Sequence, residues 1–129
     1  MVQMLNPASI AAPASTYSHG VLIPAGYDVL LTSGTLGIAP DGALAGDFEG
    51  QCRLAWSNIK AILQEGGFAL EDIVKVNAFL INRNDRGTFR TVRDEHISHQ
   101  PASTVVCADL LDSAWLLELE VIAARAAKG

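Results

Sequence analysis

The chain has 129 residues, half of them hydrophobic, two cysteines and a formal net charge of −5. This length suits one domain, and the acidic balance disfavours non-specific binding to nucleic acid, which depends on Lys and Arg side chains that neutralise phosphates. Because no apolar run reaches the length of a membrane-spanning helix and the N-terminal residues lack the charge of a signal peptide, we expect a cytoplasmic protein.

The first part of the chain predicts an irregular segment followed by two strands. Residues 1–15 are rich in Pro, Ala and Ser without periodicity, so we expect an irregular lead-in before a single domain at 16–129. Tyr17–Ile23 and Tyr27–Thr32 have strand character, and the Pro-Ala-Gly between them predicts a hairpin. The positive mean hydropathy, +0.26, predicts that subunit contacts bury part of the surface.

The remaining residues predict two helices and three strands. Asp47–Gln64 has an apolar residue at every third or fourth position, and a second helix is expected over Asp85–Ile97. Strands are expected over Ile73–Ile81, Thr104–Ala108 and Trp115–Ala124. The order ββαβαββ predicts an α+β fold, with one mixed sheet and two helices packed on one of its faces.

Two carboxylates, Glu118 and Glu120, lie within the apolar last strand. Alternation along a strand puts both on one face of the sheet, with Leu117, Leu119 and Val121 on the other. Carboxylates on such a strand are costly unless they face water, a partner or a binding site. Two interpretations stay open: a solvated face with structural ion pairs, or an active-site carboxylate.

The sequence contains no convincing metal site. His96 and His99 lie three residues apart, but no second cluster of ligands accompanies them. No phosphate-binding glycine pattern and no nucleophile elbow is present either. Cys52 and Cys107 both fall at apolar positions of predicted elements, which predicts buried, reduced thiols.

Several segments of the chain, taken in order, resemble the Rid (reactive intermediate deaminase, or YjgF) family. The similar segments are Thr16–Gly20, Leu31–Thr35, Val74–Leu80, the Pro-Ala-Ser-Thr-Val-Val at 101–106, and the strand at 116–123. The resemblance implies a chorismate-mutase-like fold in a homotrimer, with a pocket between subunits. It also implies hydrolysis, without a cofactor, of a small imine or enamine to ammonia and a carbonyl compound.

The resemblance implies roles for four residues outside the Pro-Ala-Ser-Thr motif. Glu118 matches the catalytic Glu that handles the attacking water in deaminating relatives, a role that requires proton exchange near neutral pH. Tyr17 matches the aromatic residue that closes the pocket. Ser33 and Gly34 match the turn whose backbone contacts the substrate.

Ser103 is the main departure from the family pattern, because deaminating members carry an Arg directly after the Pro-Ala. That Arg would bind a substrate carboxylate bidentately, whereas Ser103 and the adjacent Thr104 offer only hydroxyl groups to a substrate. Arg90 matches a position beside the pocket where many relatives carry Asn, so it is a candidate replacement cation. The alternative is a solvated basic stripe in which Arg90 pairs with Asp94 or Glu95.

Three functions follow from these observations. The first is an atypical imine or enamine deaminase, and the second is a non-catalytic ligand-binding or chaperone-like trimer that uses the same pocket. The third, RNA cleavage, follows an older label of the family and is disfavoured by the net charge of −5 and by the lack of a base-stacking platform. The expected partners are other copies of the chain and a small metabolite.

Overall fold

A computed structural model describes residues 1–128, which form six strands and two α-helices. Two short 3₁₀ turns, Leu70–Asp72 and Arg83–Asp85, each precede a longer element. In chain order the elements are β1 (Gln3–Leu5), β2 (Gly20–Leu22), β3 (Tyr27–Leu31), α1 (Phe48–Glu65), β4 (Ile73–Leu80), α2 (Arg86–His96), β5 (Ala102–Cys107) and β6 (Leu117–Ala126).

The main sheet has four strands in the order β3-β6-β4-β5. β4 and β5 run parallel, and β6 is antiparallel to both β3 and β4. The two helices pack on the same face of this sheet, where side chains of β4 and β6 join those of α1 and α2 in one core. The predicted α+β fold with a mixed sheet and two helices is therefore confirmed.

The apolar periodicity of α1 explains how this core forms. Asp47 caps the helix by accepting a hydrogen bond of 2.8 Å from the backbone N–H of Gly50. The stripe that faces the sheet is completely buried at Cys52, Trp56 and Ile59. Burial of side chains of this size contributes roughly 1.5–3 kcal/mol each, which fixes α1 against the sheet.

The first two predicted strands do not form a hairpin. β2 pairs instead with β1, and β3 pairs with β6 at the edge of the main sheet. The structure also differs from the irregular lead-in expected for residues 1–15, because Gln3–Leu5 is a strand. Both errors have one cause: each pairing joins segments distant in sequence, which a local pattern does not reveal.

Cys107 is exposed, so the expectation that both cysteines are buried is wrong for this residue. It is the last residue of β5, which is an edge strand, and its neighbours on the strand are exposed as well. Cys52 is buried as predicted, and both thiols are free. None of the described helices is long and apolar enough to cross a membrane.

Candidate functional site

The predicted binding residues of the chain fall into two groups. The first group lines an open cleft of about 1100 Å³ between α2 and the edge strand β5. Tyr17, Arg90, Ser103 and Thr104 all contribute to this cleft. Its apolar lining comes from both elements, with Leu80 of β4 beneath them; the apolar residues are Leu80, Phe89, Val105 and Val106.

The alternation of β5 decides which hydroxyl faces the helices. Ser103 pairs with Val76, which is buried beneath the helices, so Ser103 lies on the helix side of the sheet. Thr104 lies on the opposite side, where its Oγ1 accepts a hydrogen bond of 2.9 Å from Lys75 Nζ. Ser103 is therefore the hydroxyl residue of β5 that is oriented toward α2.

Tyr17 is held beside β5 by the residue that follows it. Ser18 is buried and bridges to Ala102, with its N–H donating to Pro101 O at 3.1 Å. The Ser18 hydroxyl also donates to Gln100 O at 2.6 Å. These bonds cover the start of the free edge of β5 and place Tyr17 against the cleft.

The arginines of α2 differ sharply in their contacts. Arg93 is only 5% exposed and donates to Thr16 O at 2.7 Å and to Asp94 Oδ1 at 3.0 Å. Arg93 therefore fastens the N-terminal segment to α2. Arg90 is exposed and forms no hydrogen bond or ion pair with any residue in the range 1–128.

The carboxylates that were candidates to pair with Arg90 are already engaged elsewhere. Asp94 pairs with Arg93, and Glu95 pairs with Arg53 of α1. The hydrogen bonds from Arg53 lower the pKa of Glu95 and keep it ionised. Pairing of Arg90 with Asp94 or Glu95 is consequently not observed, and its guanidinium group remains at the cleft.

The second group of predicted residues lies along β6. Residues 32–35 run beside this strand, since Thr35 N donates to Leu119 O at 2.7 Å and Thr32 N donates to Val121 O at 3.1 Å. Glu118 lies against Gly34: a Cβ built at Gly34 would be 2.6 Å from the carboxyl carbon of Glu118. The structure thus brings Ser33, Gly34 and Glu118 together.

The two glutamates of β6 have different surroundings. Glu120 accepts a hydrogen bond of 3.0 Å from Asn77 Nδ2, so it has a structural partner. Glu118 is half-buried and has no hydrogen-bond partner among residues 1–128. The carboxylate of Glu118 is therefore the one available to a water molecule or a ligand.

Within one copy of the chain, the sheet separates Glu118 from Arg90 and Ser103. Glu118 alternates with the buried residues Leu117 and Leu119, so it lies on the face away from the helices. Arg90 belongs to α2, which packs on the helix face. One copy therefore does not bring Glu118 and Arg90 to the same face of the sheet.

Sequence reasoning assigned no site role to several polar residues of the cleft, among them two exposed arginines and an exposed cysteine. Arg83, Arg86 and Cys107 all line it. The grouping of four arginines between positions 83 and 93 was the available signal for the first two. Among the described residues, no group of three or more His, Cys, Asp or Glu side chains has an arrangement that would hold a metal ion.

Comparison with protein families gives a match over nearly the whole chain. The Endoribonuclease L-PSP family model matches residues 8–125, which include both groups of candidate residues. TdcF of Escherichia coli is 34% identical over 104 residues, covering 77% of this chain and 81% of that protein. The 2-iminobutanoate/2-iminopropanoate deaminase of Salmonella typhimurium is 33% identical over 102 residues, covering 75% of this chain and 80% of that protein.

Solved structures show the same similarity. The crystal structure of E. coli TdcF with bound serine has a TM-score of 0.71 and 29% identity, and the match covers 95% of this chain and 98% of that chain. A Rid-family protein from Yersinia pestis has a TM-score of 0.81 at 20% identity, which shows the shared fold. The match to the Yersinia pestis protein covers 95% of this chain and 97% of that chain.

Proposed function

Because the chain belongs to the Endoribonuclease L-PSP family, which is the Rid family that its motifs predict, we propose that it binds a small metabolite and hydrolyses an imine or enamine bond in it. The proposed site lies between two copies of the chain. One copy contributes the cleft of Tyr17, Arg90 and Ser103, and its neighbour contributes Glu118 with the turn at Ser33 and Gly34.

The separation of the two residue groups by the sheet carries this proposal. The cleft side has an unpartnered cation and an aromatic residue, whereas the β6 side has an unpartnered carboxylate. The carboxylate alone provides a general base but does not bind an anionic substrate, and the cleft alone binds such a substrate but has no general base. Two copies, packed so that the cleft faces Glu118, would combine both properties.

The exposed apolar residues of the sheet support assembly into the expected homotrimer. Leu31 is 70% exposed, Val29 is 46% exposed and Val106 is 42% exposed. These residues lie on the two edge strands, β3 and β5, whose free edges are ready to pair with or pack on another chain. A closed ring of three copies would cover every such edge in the same way.

The chemistry proposed for Glu118 is activation of water. Its carboxylate takes a proton from a water molecule as the water oxygen bonds to the imine carbon. The π electrons of the C=N bond move to the nitrogen atom, which takes the proton back from Glu118 and gives a neutral carbinolamine. Transfer of the carbinolamine hydroxyl proton to nitrogen through Glu118 accompanies cleavage of the C–N bond, so ammonia leaves and a carbonyl group forms. General base catalysis of this kind contributes about 10²–10⁴-fold to a rate, which sets the loss expected when Glu118 is replaced.

Ser103 disfavours simple 2-imino acids as the substrates of the proposed site. A neutral hydrogen bond from Ser103 contributes about 0.5–1.5 kcal/mol, whereas a hydrogen bond to a charged group contributes about 1.5–3 kcal/mol. If the substrate is a carboxylate, Arg90 supplies that charge from the α2 wall of the cleft. We therefore expect weak activity on 2-iminopropanoate, and we expect the binding of a carboxylate to depend on Arg90.

Subunit mixing tests the proposed site. Glu118→Gln alone should lose imine hydrolysis by about 10²-fold or more, as expected for loss of a general base. The double variant Tyr17→Ala, Arg90→Ala alone should also lose imine hydrolysis, because it would no longer bind the substrate. Co-refolding the two variants in equal amounts should restore about a quarter of the wild-type sites, since random assembly of a ring pairs an intact half-site with the complementary one at that frequency.

The readout is clearance of imines made in situ by an amino-acid oxidase, measured against trapping by semicarbazide. Each variant refolded with itself is the control, and light scattering reports the oligomeric state. No recovery in a mixed trimer would place the site within one copy, and no clearance by the wild-type protein would refute the catalytic proposal.

Two other functions keep the same cleft. A non-catalytic ligand-binding or chaperone-like trimer would bind metabolites without clearing any imine. RNA cleavage corresponds to the family description, but the net charge of −5 opposes binding to a phosphate backbone. A cytoplasmic location stays a prediction.

A further inference from the structure

Three arginines of the cleft have no partner among the described residues. Arg83, Arg86 and Arg90 all line it, and none of their guanidinium groups donates to a side chain or a carbonyl group of residues 1–128. The fourth arginine, Arg93, is buried and fully engaged by Thr16 and Asp94. The contrast distinguishes a structural arginine from three that are free to bind a ligand.

The positions of these arginines work against stability when no anion is present. Arg86 and Arg90 are four residues apart on α2, so their Cβ atoms lie about 5–6 Å apart and like charges there cost about 0.2–0.5 kcal/mol. The chain has only nine Lys and Arg residues against fourteen Asp and Glu residues, yet three of the nine line one cleft without an acidic partner.

A single carboxylate does not account for three guanidinium groups. One arginine satisfies one carboxylate with two parallel N–H···O bonds. After Arg90 has bound the first anionic group, Arg86 and Arg83 remain as donors beside the same apolar lining of Leu80 and Phe89. An additional anionic group on the ligand would engage them and relieve their mutual repulsion.

We propose that the cleft recognises a small dianion, whose first anionic group binds Arg90 and whose second binds Arg86 and Arg83. The inference rests on the proposed function for the location of the ligand, and it adds the class of substrate. Two carboxylates, or a carboxylate and a phosphate, present the same bidentate acceptors to guanidinium groups. The short apolar segment between them would contact Phe89 and Val105.

The inference is tested by equilibrium binding of unreactive probes, which is independent of any hydrolysis. Succinate carries two carboxylates, succinamate carries one, and succinamide carries none, while the three molecules keep nearly the same shape. A fourth probe, 3-phosphonopropionate, replaces one carboxylate by a phosphonate and so distinguishes the two sources of a second charge. Titration calorimetry and light scattering are run on the assembled wild-type protein and on each variant.

We expect a dianionic probe to bind at least tenfold more tightly than succinamate, with succinamide weaker still. In Arg86→Ala and in Arg83→Ala, the ratio of the affinity for the dianionic probe to that for succinamate should fall toward one. The affinity for succinamate itself should stay within about threefold of the wild-type value, a change of less than about 1 kcal/mol. Arg90→Ala should weaken the binding of every anionic probe. Lys60→Ala removes one exposed positive charge from α1, outside the cleft, and should change none of these affinities.

The inference would be overturned if neither succinate nor 3-phosphonopropionate bound more tightly than succinamate, or if no probe showed saturable binding. Dissociation of the Arg86→Ala variant into smaller species would overturn it as well, because the arginines would then pair with acidic side chains of a neighbouring copy. The proposed function fails on a separate measurement, the clearance of imines, so each proposal can be rejected while the other stands.

Discussion

The contact between Gly34 and Glu118 allows a direct test of the catalytic role proposed for the Glu118 carboxylate. A Cβ added at Gly34 would lie 2.6 Å from the carboxyl carbon of Glu118 and 2.8 Å from its Cγ, whereas ordinary contact begins at 3.4 Å. Gly34→Ala must therefore displace the carboxyl group by about 0.8 Å or more. Because the displaced atoms belong to the end of a flexible side chain, the backbone of β6 does not have to move.

The expected effect of Gly34→Ala is large on rate and small on stability. A displacement near 1 Å in a catalytic group costs on the order of 10²-fold in rate, so kcat/KM for imine hydrolysis should fall by about that factor. The free energy of unfolding should change by less than about 1 kcal/mol, since no buried group is lost and Gly34 is exposed.

The assay compares imine clearance with denaturant unfolding of the same preparations. The substrate is whichever imine the wild-type protein clears fastest among those formed from alanine, 2-aminobutyrate and aspartate. Gly46→Ala is the matched control, because a Cβ at Gly46 meets no atom within 4 Å. Wild-type clearance by a folded Gly34→Ala variant would refute the reasoning that the position of Glu118 matters.

Three further predictions concern the cleft, the loop and the thiols. Ser103→Arg should raise clearance of 2-iminopropanoate about tenfold or more by supplying a bidentate cation, and an unchanged rate in the coupled assay would contradict this role. Gly37→Ala should lower the free energy of unfolding by about 1–3 kcal/mol, measured in urea against Gly46→Ala, because its Cβ would lie 2.8 Å from the carbonyl carbon of Gln51. Burial raises the pKa of Cys52 to about 12, above its ordinary 9.0, so iodoacetamide should label Cys107 in the native protein and Cys52 only after unfolding. The neutral thiol favours the folded state below pH 9, and alkaline titration should show this contribution lost as the pH rises from about 9 to 12.

Local periodicity predicted the positions of the helices and strands better than it predicted which strands pair. The stripe of α1 and the alternation around Glu118 were both correct, because each depends on residues two to four positions apart. The hairpin prediction failed since β3 pairs with β6, about one hundred residues further along the chain. Cys107 was misplaced for a related reason: an apolar strand sequence does not say whether the strand lies at the edge of its sheet.

The candidate site shows the same limit at the level of side chains. The sequence places Arg90 and Glu118 in the correct elements, and the resemblance to the family implies that they share one pocket. Only the strand order reveals that the sheet lies between them. Residues that form a site between two copies can lie on opposite faces of the sheet in one copy, and a sequence motif does not show this.

In the proposed site, the cation lies on α2 instead of β5, and this position would change what the cleft binds. An arginine at position 103 would extend from a strand fixed by its pairing with β4, whereas Arg90 extends from an exposed helix surface. An arginine side chain carries about 2 kcal/mol of rotamer entropy, and a guanidinium group without neighbours to orient it gives up more of this entropy when it binds. In the proposed site, a lone Arg90 would therefore bind a carboxylate more weakly than an arginine at position 103 would. In the proposed site, Arg83 and Arg86 would compensate for this weakness only when the ligand offers a second anionic group. A serine at position 103 and a cluster of three arginines at positions 83–90 therefore support the same proposal, a dianionic ligand.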